Sequence, residues 1–400
     1  MDCEVLHMPS LKRTADSSLA KKVNTMLVVD CIRKYAPLSR ADVARLTMLS
    51  ASTVSSIVSD LVGAGLVHER KGCPANGGGR CPILLSLNAS ASFAVIIDVQ
   101  VPRVLSGIID LAGNPASIVR EPLDLSSPTN TVDQVLRVTA KALARLPRTG
   151  GAAAGIGVGI PGIVDVRTGT VAKSTRLRWN NLPLATLLQR EFPLPAIVER
   201  DVRAAAWGER SYGHGRNVSD FVYLAVGEGG FGAGLVMNGK PYMGARMHAG
   251  ELGHTTVDIH GEQCSCGNVG CLAALASTSI NSLKAGGADD ALVEYTAIGL
   301  VNLVNLLDPE IIVLGGDIGA RPDFVSRVDA IAKQRALLTP GQTLRILPSQ
   351  LGDMGVALGL AGLVFDKFYW NQASPEISPE GANYQTVSKP RREQARRVGE

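Results

Sequence analysis

Residues 251–271, ELGHTTVDIHGEQCSCGNVGC, constrain this chain more tightly than any other stretch. His254, Cys264, Cys266 and Cys271 gather four nitrogen and sulfur ligands within eighteen residues, with glycines beside three of them. Zinc takes four such ligands in a tetrahedron, and a Cys-x-Cys step, a glycine-rich stretch and a further Cys can wrap one ion. The competing readings are a disulfide or idle thiols. The leader MDCEVLHMPSLKRTADSS has no apolar run ahead of a small-residue cleavage site, so no secretory signal is expected. An unprocessed, cytoplasmic protein favours a metal site over a disulfide. His248 and His260 compete with His254 as ligand, whereas Cys3, Cys31, Cys73 and Cys81 lack metal spacing and read as reduced thiols.

At 400 residues the chain exceeds one ordinary core and calls for two or three domains. No run approaches the roughly 18 to 20 apolar residues of a membrane span. Residues 1–87 carry eleven Lys/Arg against seven Asp/Glu, an excess of +4 that equals the excess of the whole chain. A small basic module therefore sits on a neutral body, which points the module towards an anionic partner.

Residues 1–18 read as a flexible tail. A helical pattern begins at Leu19 and is broken by Pro37. In the next segment, SRADVARLTMLSASTVSSIVSDLVGAGLV, Ser39 is a good N-cap with Asp42 three residues on. Ser50 caps a second helix in which Val54, Ile57, Val58, Leu61 and Val62 form one stripe, opposite Ser52, Thr53, Ser55, Ser56 and Ser59. Two short helices and a tight turn describe a helix-turn-helix, although Met48 stands where the turn favours Gly. Two short β runs joined by Gly77, Gly78, Gly79 and Arg80 follow as a wing, and a guanidinium on a thin glycine arm suits a narrow minor groove. The candidate DNA contacts are Arg40, Ser50, Ser52, Thr53, Ser55, Ser56, Gly78, Gly79 and Arg80, within a winged helix-turn-helix domain spanning 19–88.

The remainder alternates strands, glycine-rich turns and helices. FAVIIDV pairs with LSGIIDLAG as a hairpin, and residues 131–146 form an amphipathic helix. GAAAGIGVGIPGIVD is a strand whose GxGxG is no nucleotide fingerprint, because Pro161 and Gly162 replace the required helix. FVYLAVGEGGFGAGLVMNG is strand, loop and strand; residues 278–307 hold one or two helices around an AGG break. The pattern fits two α/β lobes with a cleft between them. The first lobe covers 89–199 and is closed by a C-terminal helix at 353–369. The second covers 200–352, with the zinc loop and an oligomerisation surface, and 370–400 read as a disordered tail.

GELGH followed by CSCGNVGCL, the wing GGGRCPILLSLN and the helix pair resemble the ROK family of repressors, open reading frames and sugar kinases, in its winged-helix regulator branch. The resemblance runs from about residue 19 to 368. It implies an actin-like or hexokinase-like ATPase fold, usually a homodimer or homotetramer, that binds a sugar between its lobes. Asp201 in ERDVRAAAWGE matches the aspartate that serves the kinases as base, and Glu251 and His254 match sugar contacts. The family's Asn residues flanking that aspartate are here Arg200 and Arg203, and its glutamate after the last zinc cysteine is Ala273. Arg200 joins the candidate sugar set and would suit an acidic sugar. The phosphate loop of the kinases, Asp-x-Gly-Gly-Thr, is here Asp98-Val99-Gln100-Val101-Pro102, and Gly229 replaces a Thr in the second phosphate loop. Phosphoryl transfer depends on such a cradle, so no catalytic residue is assigned.

These features predict a sugar-responsive transcriptional regulator, a repressor, with structural zinc, a double-stranded DNA operator and a carbohydrate effector. One nitrogen of His254 would take the zinc and the other would donate to the sugar, with Glu251 beside it. The rivals are an active sugar kinase with an accessory DNA-binding domain, and a regulator governed by a protein partner with a vestigial sugar site.

Overall fold

A computed structural model describes residues 17–72, 81–228, 230–284, 289–339, 341 and 343–370. The terminal tails, the wing tip with Cys73, Gly78, Gly79 and Arg80, the AGG break and Gly229 lie outside the described residues.

The amino-terminal module is α1 (Ser17–Tyr35), β1 (Leu38–Ser39), α2 (Arg40–Thr47), α3 (Ala51–Gly63), β2 (Val67–Lys71) and β3 (Ile83–Leu87), its strands ordered β1-β3-β2. Ser39 and Asp42 close a reciprocal capping box on α2: the Ser39 hydroxyl accepts from the Asp42 N–H at 3.2 Å, and the Asp42 carboxylate accepts from the Ser39 N–H at 3.1 Å. Met48 ends α2 at φ +57, a left-handed residue whose side chain is 89% exposed, so it meets the turn's demand without Gly. Ser50 caps α3 by accepting from the Thr53 N–H at 3.1 Å. Val54, Ile57, Val58 and Leu61 are buried with Val28, Val29 and Ile32 of α1, Val43 of α2 and Leu85 of β3.

The first lobe begins with the meander β4 (Phe93–Val99), β5 (Arg103–Asp110) and β6 (Pro115–Pro122). After α4 (Pro128–Leu143) come β7 (Ala153–Ile160), a small antiparallel sheet of β8 (Ile163–Asp165), β9 (Thr170–Ser174) and β10 (Trp179–Leu182), then α5 (Leu184–Glu191) and β11 (Ala196–Arg200). Helix α4 starts earlier than its apolar periodicity predicts, because Ser127 caps it and Pro128 fills the first turn. Helix α6 (Asp201–Tyr212) leads to the second lobe: β12 (Phe221–Gly227), β13 (Gly230–Met237), β14 (Lys240–Tyr242), α7 (Leu272–Lys284), α8 (Asp290–Leu307), β15 (Ile311–Gly315), α9 (Pro322–Arg335) and β16 (Ile346–Pro348). The sheets are ordered β11-β7-β4-β5-β6 and β14-β13-β12-β15-β16, so each lobe is a three-stranded meander extended by two parallel strands. In length and composition α8 matches a membrane span, yet Leu292, Val293, Ala297 and Leu300 are buried in the second lobe's core.

The closing helix α10 (Gly355–Val364), prolonged by a wider turn over Phe365–Tyr369, returns to the first lobe with Leu360 and Val364 against Gly157 of β7. It lies directly on α6. A Cβ on Gly359 would stand 1.7 Å from the Ala204 carbonyl oxygen, and one on Gly208 would stand 2.3 Å from the Gly355 oxygen, so the two backbones touch only because both positions are glycine.

The winged helix and the body share one continuous apolar cluster that includes Ile32, Leu85, Ile96, Leu360 and Phe365. Polar contacts fix the joint. Arg33 NH1 lies 3.5 Å from Asp366 Oδ1, and the other oxygen of Asp366 accepts from Trp207 Nε1 at 3.2 Å. Arg216 donates to the Arg33 and Lys34 carbonyls at 3.2 and 3.0 Å, capping the C-terminus of α1 with positive charge. The Tyr35 hydroxyl donates to Asn217 at 2.6 Å. Burial pushes the Asp366 carboxyl up while Arg33 pulls it back, so removing the cation leaves a buried acid without its ion pair. Arg33→Met is expected to weaken the joint by about 2–3 kcal/mol, seen as faster trypsin release of the winged helix from an intact body. An unchanged digestion pattern would show that the joint does not depend on the pair.

Candidate ligand cleft and metal-binding loop

The loop after β14 runs through a single tight turn, Leu252–His254, and is then held by isolated bridges between Thr256 and Cys271 and between Gln263 and Val269. Gly270, at φ +69, is obligatory: a Cβ there would stand 1.4 Å from the Asp258 carbonyl oxygen. This folding brings ligand atoms of His254, Cys264, Cys266 and Cys271 within 4.8 Å of one another. Cys264 Sγ is 3.6 Å from His254 Nδ1, and Cys266 Sγ is 3.6 Å from Cys271 Sγ, too long for a disulfide. A zinc tetrahedron with Zn–S near ~2.3 Å has ligand–ligand edges of about 3.8 Å, so the donor set and its spacing fit one metal ion. His248 and His260 are not in the cluster.

Because His254 turns Nδ1 to the cysteines, its Nε2 faces the other way and lies 4.0 Å from Glu251 Oε2. Glu251 stands three residues earlier in a 3₁₀ turn, where i and i+3 share a face. Its second oxygen is 2.7 Å from Arg200 NH1, an ionic contact without aligned hydrogen-bond geometry. Arg200 ends β11 and Asp201 begins α6, so the strand-to-helix junction puts both at the same end of the sheet. Burial pushes the Asp201 carboxyl above the usual range against the pull of Arg200, and one oxygen accepts from the Val202 N–H at 2.8 Å. Arg200, Asp201, Glu251 and His254 thus form one connected set. Arg200 has an internal anion in Glu251. Arg203 is buried.

On the opposite side, Gln100 Nε2 donates to Asp98 Oδ2 at 2.6 Å and Arg103 Nε donates to Gln100 Oε1 at 2.9 Å. Side chains therefore fill the turn between β4 and β5. In the β12–β13 turn, the Glu228 N–H donates to the Asp317 carboxylate at 3.1 Å, which takes a donor a phosphate would use. Arg176 crosses from the first lobe to donate to the Glu228 carbonyl at 2.6 Å. The Gly315–Gly316 turn is a packing requirement: a Cβ on Gly315 would meet the Tyr223 hydroxyl at 2.1 Å, and Gly316 sits at φ +85.

In the winged helix, Ser52 and Ser56 are exposed and Thr53 and Ser55 half-exposed on one side of α3, with Ser50 at its amino end. Arg40 is committed within the domain. It donates to Glu69 at 3.1 and 2.9 Å, to the Ser55 carbonyl at 3.1 Å and to Ser59 at 3.3 Å, bracing α2 and α3 against β2. The pairing of Arg40 with Glu69 and the contact of Asp317 with the Glu228 N–H carry no sequence signature, whereas Gln100 is marked by the run Asp98-Val99-Gln100-Val101-Pro102.

A winged helix-turn-helix fused to a two-lobed, actin-like and hexokinase-like α/β body defines a regulator-type architecture. The chain belongs to the ROK family, whose model matches residues 107–282 and 279–367. It is similar to a protein named xylose repressor from Bacillus spizizenii, 31% identical over 378 residues that cover 88% of this chain and 98% of that protein. Its fold matches a ROK family transcriptional regulator, homolog of the Escherichia coli MLC protein, with a TM-score of 0.71 at 23% identity over 88% of this chain and 98% of the other. The body alone matches a ROK family glucokinase from Streptomyces griseus, solved with glucose and AMPPNP, with a TM-score of 0.57 at 24% identity over 68% of this chain and 98% of that one.

Asp98 gives a pH test. It is fully buried with one oxygen unpartnered, and burial raises its carboxyl from 3.8 to about 7, moderated by Gln100. An acid with a raised folded-state value loses stabilisation as pH climbs from about 4 through 7. The cost at pH 8 is of order ~4 kcal/mol. Asp98→Asn should therefore raise the urea midpoint at pH 8 and much less at pH 5; an equal gain at both would place Asp98 in an ordinary environment.

Proposed function

We propose that this protein is a sugar-responsive DNA-binding repressor whose kinase-like body binds a carbohydrate without phosphorylating it. The observation that carries the reading is the pairing of a docked winged helix with a cleft that keeps its sugar-facing set yet fills its phosphate turns with its own side chains. Helix α3 would enter the major groove with Ser52, Thr53, Ser55 and Ser56, and Arg80 on the wing would reach the minor groove. Hydroxyl and methyl contacts discriminate bases modestly, which leaves much of the specificity to DNA shape. A homodimer or homotetramer, acting in the cytoplasm, would read two half-sites.

In the cleft, Glu251 accepts from a sugar hydroxyl and His254 Nε2–H donates to another, while Asp201, with its raised affinity for a proton, holds a third. The Cys3His loop would carry structural zinc, all four positions being filled by protein. Zinc supplies rigidity there: it fixes the His254 tautomer and aims the ring. Sugar binding changes operator affinity only through a difference in affinity for two states of the lobes.

Gel-shift titration of the protein's own promoter fragment, with D-xylose and D-glucose among the sugars, should give at least a tenfold loss of DNA affinity with one of them. Unchanged affinity across the panel would remove the effector half of the reading. Coupled ATP turnover should stay at background with the same sugars; turnover that vanishes in Asp201→Ala would make the protein a kinase. Purified protein should hold about one zinc per chain, and Cys264→Ser should lose it. Metal lost with sugar binding intact would separate the zinc loop from the cleft.

A further inference from the structure

Arg203 stands in the first turn of α6, two residues after Asp201, and lies inside the protein. It is 2% exposed, and all its contacts are internal. Nε donates to Glu199 Oε1 at 2.7 Å, with NH2 2.6 Å from the same oxygen. NH1 donates to the Met247 carbonyl at 3.1 Å, and NH2 reaches the Val164 carbonyl at 3.5 Å. One guanidinium therefore touches β11, β8 of the first lobe, and the loop of the second lobe that leads into Glu251.

The Met247 end of this contact is the informative one. Met247 sits at φ +64, a region that non-glycine residues enter only when their surroundings hold them there. Its N–H donates to the Gly244 carbonyl at a long 3.4 Å, while the Ala249 N–H donates to the Met243 carbonyl at 3.1 Å and the Gly250 carbonyl accepts from the Ala233 N–H at 3.1 Å, so the weak backbone link falls at Met247. Four residues later Glu251 faces Arg200, and seven residues later His254 turns to the cysteines. Between them Gly250, at φ +87, lies against β13, where a Cβ would stand 2.1 Å from the Ala233 oxygen. The segment is thus anchored at Gly250 by packing and at Met247 by Arg203. Glu199 is buried as well, and its remaining bond goes to the Arg200 N–H at 2.6 Å, so the same carboxylate aligns the clamp and the start of α6.

We infer that Arg203 is a positioning residue for the effector: paired with Glu199, it clamps the strained Met247 carbonyl and so sets where Glu251 and His254 meet the sugar. It touches no ligand itself. The inference rests on the sugar-cleft reading, and it adds that a planar, multidentate head is required at 203. Lys carries its three donors on one nitrogen and cannot span the three acceptors that the planar guanidinium reaches from separate nitrogens.

Removing Arg203 alone strands the buried Glu199, so Arg203→Met by itself could fail to fold. The test therefore pairs Arg203→Met with Glu199→Gln, which removes both charges together and keeps an acceptor for the Arg200 N–H. Isothermal titration with D-xylose and D-glucose, alongside binding to a promoter fragment, is run on wild type, Arg203→Lys and the double variant. For the sugar that wild type binds, the double variant should show an affinity about tenfold or more weaker, with Arg203→Lys in between. Zinc content and promoter affinity should match wild type, and amide exchange over 243–254 should quicken. A double variant that binds the sugar as wild type does overturns the clamp while leaving the sugar reading intact. Wild type that binds neither sugar, nor any other of a monosaccharide panel, overturns both.

Discussion

Contact between the backbones of α6 and α10 is the interaction on which the rest of the molecule depends. With Gly208 and Gly359 at the crossing, no side chain separates the helices, and neither can shift without a carbonyl meeting an α-carbon. Helix α6 begins in the cleft at Asp201, while its seventh residue, Trp207, donates to Asp366, the acid that pairs with Arg33 of the winged helix. Helix α10 packs on β7 of the first lobe, and the wider turn that prolongs it carries that same acid. One rigid pair of helices therefore reaches Asp201 at one end and the winged-helix module at the other. Rigidity makes the arrangement a candidate two-state coupler, since packed interfaces of this kind shift between arrangements and do not deform gradually.

The cleft follows from charge bookkeeping over a few side chains. Arg200 and Arg203 place two cations beside Asp201, and each meets a carboxylate of the same chain, Glu251 and Glu199. Neither is left as a bare positive site. The phosphate side is treated the same way, with Gln100 over Asp98 and Asp317 over the β12–β13 turn. The chain thus meets the polar groups of both turns with its own side chains.

Short-range signals in the sequence carry over directly into the structure. The α3 stripe, the Ser39 and Ser50 caps, the buried run of β4 and the ligand spacing of the loop are all short-range patterns, and each appears where its periodicity or spacing puts it. Elements built from little apolar periodicity were not legible: β8–β10 are three to five residues long, β6 is bracketed by prolines on a half-exposed edge, and α9 opens on Pro322. Side-chain direction was harder still. Arg203 and Glu199 are four residues apart, yet only the strand-to-helix bend brings them together, and Arg33 and Asp366 are joined across nearly the whole chain. Arg40 looked free for DNA because Glu69, its main partner, lies in a strand whose pairing depends on the wing.

Thermodynamic reciprocity tests the central claim, that the cleft and the winged helix are coupled through one rigid joint. The measurement is the affinity of the effector sugar for the free protein and for the protein saturated with its operator. The account predicts weaker sugar binding in the complex, by the same factor by which the sugar weakens operator binding. Equal sugar affinities with and without operator would contradict it.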